Sequence, residues 1–127
     1  MRPPRLLIVD DEVAYAGLLS ELFEDHGYDV ATAVNGRDGV DKAFALIPDV
    51  ILMDVLMPGL DGWGALAQLK ADPRTRLVPV IMMTGRIVAA ARGATGSSEA
   101  VAVLQKPIPV AILLETVDRA VGRDSTS

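Results

Sequence analysis

Asp10 and Asp11 stand side by side after an apolar run, Asp54 follows a second such run, Thr84 a third, and Lys106 a fourth. Brought to one place, three carboxylates would repel one another, which raises their pKa values or recruits a cation. Oxygen-only donors suit Mg²⁺, which dehydrates reluctantly and prefers one or two carboxylates plus waters and a phosphate; Mn²⁺ takes similar ligands. Thr84 can donate a hydrogen bond, and Lys106 a compact positive charge, to an anion held between them and the metal. The set suits phosphoryl transfer, which needs an oxygen nucleophile in line and positive charge over the equatorial oxygens of a loose transition state. An ionised carboxylate already carries the attacking lone pair, so no general base is required.

The elements that must position these groups can be read from five short apolar runs at residues 6–9, 30–34, 50–53, 80–83 and 101–104. Each has the length and aliphatic character of a strand buried on both faces. Between the first two, Tyr15, Leu18, Leu19, Leu22 and Phe23 recur at helical spacing, and Gly27 follows as a stop signal. Further helical patterns cover residues 36–46, 62–70 and 110–121. Strands alternating with helices predict a parallel α/β sheet with helices on both faces and right-handed crossovers. In such sheets ligands bind beyond the carboxyl ends of the strands, where all five polar residues fall. Asp54 is the nucleophile candidate because its strand is central in this order, and the Asp10–Asp11 pair is suited to hold the metal.

Asp10-Asp11-Glu12 after the first strand, Asp54-Val55-Leu56-Met57-Pro58 after the third, Thr84 after the fourth and Lys106-Pro107 after the fifth together resemble the receiver domains of two-component response regulators. Each motif alone is weak, but the five positions in order are specific, and the likeness runs from about residue 5 to residue 121. It implies a flavodoxin-like, doubly wound five-stranded sheet of order 2-1-3-4-5 with five helices, a receiver domain over residues 1–122 and a polar tail over 123–127. It also implies that Asp54 takes a phosphoryl group from a phosphohistidine of a sensor histidine kinase or histidine phosphotransfer protein. Asp11, Asp54 and the backbone carbonyl of Leu56 would ligate Mg²⁺, with Asp10 acting through water. Lys106 would pair with Asp54 and then with its phosphoryl group, Thr84 would move toward the phosphoryl oxygens as the switch, and Lys106-Pro107 would be cis. The output would be a downstream protein target or a fused output domain.

Composition narrows the function further. At 127 residues, half of them hydrophobic, the chain fits one domain with a sizeable core. A net charge of −5 argues against general affinity for nucleic acid or anionic membrane. The absence of cysteine excludes disulfides, thiolate metal sites and cysteine nucleophiles, and fits a cytoplasmic setting. The first apolar run is too short, and too soon followed by acids, for a signal peptide or membrane span. Simpler readings exist for each residue: Asp10-Asp11 as a helix cap, Asp54 as a turn residue before Pro58 and Gly59, Thr84 as ordinary strand and Lys106 as a solvated charge. Only the constellation lifts them. Gly59, Gly62 and Gly64 spell no nucleotide-binding fingerprint, the lone His26 builds no metal site, and Trp63, Met53, Met57, Met82 and Met83 read as packing.

The sequence departs from the family in three places. Val103 occupies the fifth-strand position where receivers commonly carry an aromatic that swings inward with the threonine, and valine has no ring to relocate. The segment expected to hold the fourth helix contains Gly85, Gly93 and Gly96, and each glycine costs a helix interior about 1 kcal/mol relative to alanine; a short, displaced or mobile helix around residues 87–92 is predicted. Glu99-Ala100 replaces the usual Gly-Ala turn. Leu56 and Arg86, two residues after Asp54 and Thr84, are placed to restrict attacking water and lengthen the life of the phosphorylated state. An aspartate-dependent phosphohydrolase would want an acid two residues after its nucleophile, where this chain has Leu56. A phosphate-independent, receiver-like scaffold is the other alternative. The main expectation is a phosphoacceptor whose own chemistry is at most slow self-dephosphorylation.

Overall fold

The computed structural model describes residues 2–85 and 99–123. Its elements run β1 (Arg5–Val9), α1 (Val13–Asp25), β2 (Asp29–Ala33), α2 (Gly36–Leu46), β3 (Val50–Asp54), α3 (Gly62–Ala71), β4 (Val80–Thr84), β5 (Ala102–Gln105) and α4 (Val110–Ala120). All strand pairs are parallel, and their order is β2-β1-β3-β4-β5. The anticipated sheet and its order are therefore present. The helix expected between β4 and β5, together with Arg86, lies outside the described residues. The helix read as fifth in the sequence is α4 here.

Period-2 alternation along the central strands explains why they read as unbroken apolar runs. Leu7, Val9, Ile51, Met53, Val80 and Met82 face α2 and α3, packing with Val40, Ala43, Ala65, Leu66 and Leu69. Leu6, Ile8, Val50, Leu52, Ile81 and Met83 face the opposite layer, where Ala16, Leu19 and Phe23 of α1 meet Leu113 and Val117 of α4. Full burial of such a side chain contributes roughly 1.5–3 kcal/mol. The two-faced burial expected for every strand holds for β1, β3 and β4 but not for β2 and β5. These are the sheet's edges, with a neighbour on one side only. At the β2 edge Lys42 Nζ donates to the Thr32 carbonyl, which occupies an acceptor that an incoming strand would use.

Local chemistry sets the helix ends. Asn35 caps α2 by accepting the Asp38 N–H, and Asp61 caps α3 by accepting the Gly64 N–H. Gly27, which follows α1, has φ of +88°, a conformation that glycine adopts without a Cβ penalty. The Tyr28 hydroxyl donates to the buried Asp118 carboxylate at 2.6 Å, tying the start of β2 to α4. No described helix is long and apolar enough to cross a membrane.

Candidate functional site

Strand register alone brings most of the site together. Val9 stands opposite Met53, so Asp10 and Asp54 leave adjacent strands at the same pole of the sheet. Asp54 is opposite Met83, and Thr84 opposite Gln105, which delivers Thr84 and Lys106 to that pole as well. Short backbone bonds fix the exits: Asp10 N–H to Ala33 O at 3.0 Å, Val55 N–H to Met83 O at 2.9 Å, and Lys106 N–H to Thr84 O at 2.8 Å. The Lys106-Pro107 peptide is cis.

One oxygen from each of Asp10, Asp11 and Asp54 lies within 4.8 Å of the other two. Asp10 and Asp54 are buried, at 0% and 5% exposure, whereas Asp11 is exposed. Asp10 uses one oxygen to accept the Glu12 N–H at 2.9 Å and the other to pair with Lys106 Nζ at 3.0 Å. Glu12 is the N-cap of α1 and makes no side-chain cap. The capping role considered for the acids is thus confined to one Asp10 oxygen, while the other faces the site. Thr84 is buried at 1% exposure. Leu56 is exposed, and its backbone N–H hydrogen-bonds Asp54.

Lys106 is the charge hub, and its nearest acid is not the one expected from sequence. Its Nζ lies 3.0 Å from Asp10, 3.4 Å from Glu12 and 3.7 Å from Asp54. Burial pulls the Lys106 pKa down, but the Asp10 hydrogen bond and the charges of Asp10, Asp54 and Glu12 outweigh it, leaving the ammonium above its ordinary value. Asp54 is pushed up from 3.8 to about 6, first by burial, then by the Asp10 charge, against the opposing pull of Lys106; Asp11 raises it further and the Leu56 N–H lowers it. Among the described residues, three carboxylates thus approach one ammonium and Asp11 lies beside two of them, an excess of negative charge that a divalent cation would relieve.

Two contacts were not anticipated. Glu12 joins Lys106 across the site, and the Tyr15 ring lies under the ammonium, its centroid 4.7 Å from Nζ. Tyr15 belongs to the apolar stripe of α1 and carries no sign in sequence that it reaches a lysine 91 positions later. Val103 is partly buried and packs on the core layer shared with α2 and α3. The Trp63 indole packs on the same layer, its Nε1 buried without a hydrogen-bond partner among the described residues. Exposed His26 sets its Nδ1 2.8 Å from the Leu22 carbonyl and is not part of the Asp10, Asp11 and Asp54 cluster.

The model of the response regulator receiver domain family matches residues 6–118. Protein PilH of Pseudomonas aeruginosa is 40% identical over 114 residues, covering 90% of this chain and 94% of PilH. The DNA-binding dual master transcriptional regulator RpaA of Synechocystis is 43% identical over 64% of this chain, but the chain spans only 34% of that longer protein. Among solved structures, the receiver domain of the sensor histidine kinase PA1611 from Pseudomonas aeruginosa, which has a magnesium ion coordinated in its active-site cleft, superposes with a TM-score of 0.86 at 28% identity, covering 94% of this chain and 98% of that one. With the family model spanning nearly the whole sheet and its acid-lined pole, the chain belongs to the response regulator receiver domains of two-component systems, whose members are phosphoacceptors.

Proposed function

We propose that Asp54 is the phosphoryl acceptor of this receiver. The observation that carries the reading is the placement of a buried carboxylate beside Lys106 and two further aspartates at the carboxyl pole of the sheet. At neutral pH an acid with a pKa of about 6 is mostly ionised, so Asp54 can attack without a general base. In the transfer an Asp54 oxygen forms the bond to phosphorus as the P–N bond of a phosphohistidine breaks, its electron pair returning to the imidazole. Lys106 neutralises the charge gained by the acceptor, and the Thr84 hydroxyl holds a phosphoryl oxygen. The donor is a sensor histidine kinase or a histidine phosphotransfer protein, and the product state alters contacts with a downstream protein or a fused output domain.

The donor set fits Mg²⁺: hard carboxylate oxygens, clustered and in excess of positive charge. Asp11, Asp54 and the Leu56 carbonyl would hold the ion, with Asp10 behind them through water. When bound, it supplies charge neutralisation between the acceptor and the incoming phosphoryl group. Leu56, at the position where a phosphohydrolase would need an acid, offers no proton transfer, which supports a stoichiometric acceptor over a turnover enzyme. We place the receiver unit at residues 1–122, followed by a polar tail, in the cytoplasm, with no direct contact to nucleic acid or membrane.

The test is incubation with Mg²⁺ and acetyl phosphate followed by intact-mass measurement. The expected result is one added phosphoryl group, lost on chelation of the metal and reduced at least tenfold in rate at limiting Mg²⁺ by Asp11→Asn, in line with the roughly 10–100-fold effect of removing metal-site partners. Uptake indifferent to the chelator would contradict the metal assignment. Continuous release of inorganic phosphate at a rate typical of enzymes, about 1 s⁻¹ or faster, would contradict the acceptor reading.

A further inference from the structure

The Lys106 ammonium is bounded by more than the acids of the site. Asp10, Glu12 and Asp54 approach it at 3.0, 3.4 and 3.7 Å, and a further side is taken by the face of the Tyr15 ring. Three carboxylates do not share the ammonium equally. Asp10 is wholly buried, whereas the Glu12 side chain is 67% exposed and would draw the flexible lysine outward into water. Yet the Lys106 side chain is only 19% exposed. An aromatic face attracts an ammonium within about 6 Å of its centroid and cannot be displaced as a water molecule can.

Tyr15 is well placed to act as a fixed wall. It sits in the first turn of α1, half-buried against the layer formed by Leu6, Ile8 and Phe23, so its ring is anchored by the core while its face meets the site. Lysine carries a compact charge on a flexible four-carbon stem, without the planar fork that preorganises arginine, and its position depends on what surrounds the ammonium.

We propose that Tyr15 is a positioning residue for phosphoryl transfer: its ring face keeps the Lys106 ammonium between Asp10 and Asp54 and out of the solvent beside Glu12. This inference rests on the reading of Asp54 as acceptor given above. The contact involves the ring face and not the hydroxyl, so phenylalanine should replace tyrosine in this role and leucine should not.

Two readouts test it in the full chain. In the first, the proton resonances of the Lys106 Cε methylene carry an upfield ring-current shift in the parent and in Tyr15→Phe, and lose it in Tyr15→Leu; no phosphodonor or metal is needed. In the second, phosphorylation by acetyl phosphate with Mg²⁺ slows about three- to tenfold in Tyr15→Leu, stays within about twofold of the parent in Tyr15→Phe, and in a Lys106→Ala background shows no further loss on adding Tyr15→Leu. Denaturation midpoints establish that each variant is folded, and Tyr15→Met replaces the leucine variant if that one is not. Equal rates in the leucine and phenylalanine variants, a leucine deficit that persists without Lys106, or an unmoved methylene resonance would each overturn the proposal. Absent uptake by the parent, or uptake that survives Asp54→Asn, would instead strike the acceptor reading, and the methylene resonance would then decide the role of Tyr15 alone.

Discussion

Replacing Asp54 by asparagine is expected to make the metal-free protein more stable at neutral pH, by about 1–3 kcal/mol. The folded chain holds this carboxyl at about 6 against an ordinary 3.8, because burial and the neighbouring Asp10 disfavour its charge more than Lys106 favours it. A folded pKa above the unfolded one means that the fold binds the proton more tightly. The associated stability is fully present below pH 4, is lost as pH rises through 6, and is absent at pH 7 and above. Every tenfold difference in proton affinity between the folded and unfolded chain corresponds to about 1.4 kcal/mol, and the loss of the Lys106 partner takes back part of the gain. The advantage of asparagine should therefore be small at pH 4.5 and largest above pH 7. Mg²⁺ should erase it by stabilising the parent, since a ligand that binds only the folded state adds RT ln(1 + [L]/Kd). Urea titrations of both proteins at pH 4.5 and 7.5, with chelator and with Mg²⁺, check this. An asparagine variant less stable than the parent at pH 7.5 in chelator, or a gain independent of pH, would contradict it.

Gly62→Ala is expected to cost about 2–4 kcal/mol and to impair phosphoryl uptake even where the variant remains folded. A Cβ at this position would lie 2.3 Å from the Asp54 carbonyl oxygen and 2.8 Å from both the Val55 Cα and the Met82 Cε. Methionine can turn aside. The backbone of Asp54 and Val55 cannot, because β3 is paired on both sides and the Gly62 N–H itself bonds the Val55 carbonyl at 2.8 Å. The first turn of α3 therefore sits directly on the Asp54 backbone, and any relief of the clash moves Asp54 relative to Lys106. Gly59→Ala provides the contrast. Its Cβ would meet nothing within 4 Å, and its φ of +75° carries only the left-handed penalty of roughly 1–2 kcal/mol. Comparable losses of phosphoryl uptake in the two variants, compared by denaturation midpoint and initial rate, would refute the steric account.

The contrast between what sequence disclosed and what it did not follows the range of the interactions. Strands and helices are local patterns, and the helical pattern over residues 36–46 coincides with α2, whose start the fold fixes with the Asn35 cap. Asp10, Asp54, Thr84 and Lys106 were recognisable because parallel strands carry their last residues to one pole, so position along the chain translates into position in space. The partner of Lys106 was not recognisable. Choosing Asp10 over Asp54 depends on distances of 3.0 and 3.7 Å between groups 96 and 52 residues from the lysine, and on the burial of Asp10. Tyr15 fitted a core stripe so well that nothing distinguished its second role. The uneven burial of β2 and β5 likewise follows from strand order, since each apolar run looks the same whether its strand is central or at an edge. Val103 stands out in sequence for the ring it lacks; the fold adds that it packs on the core layer shared with α2 and α3.

Where the phosphoryl group comes to rest is the decisive question for this site. The chain is treated with acetyl phosphate and Mg²⁺, the acyl phosphate is reduced with borohydride, and the peptides are sequenced by mass spectrometry. The expected outcome is conversion of one residue, Asp54, to homoserine, with no conversion in Asp54→Asn. Homoserine at Asp10 or Asp11 in the parent, or a phosphoryl group resting on the Thr84 hydroxyl, would contradict the assignment of Asp54 as acceptor.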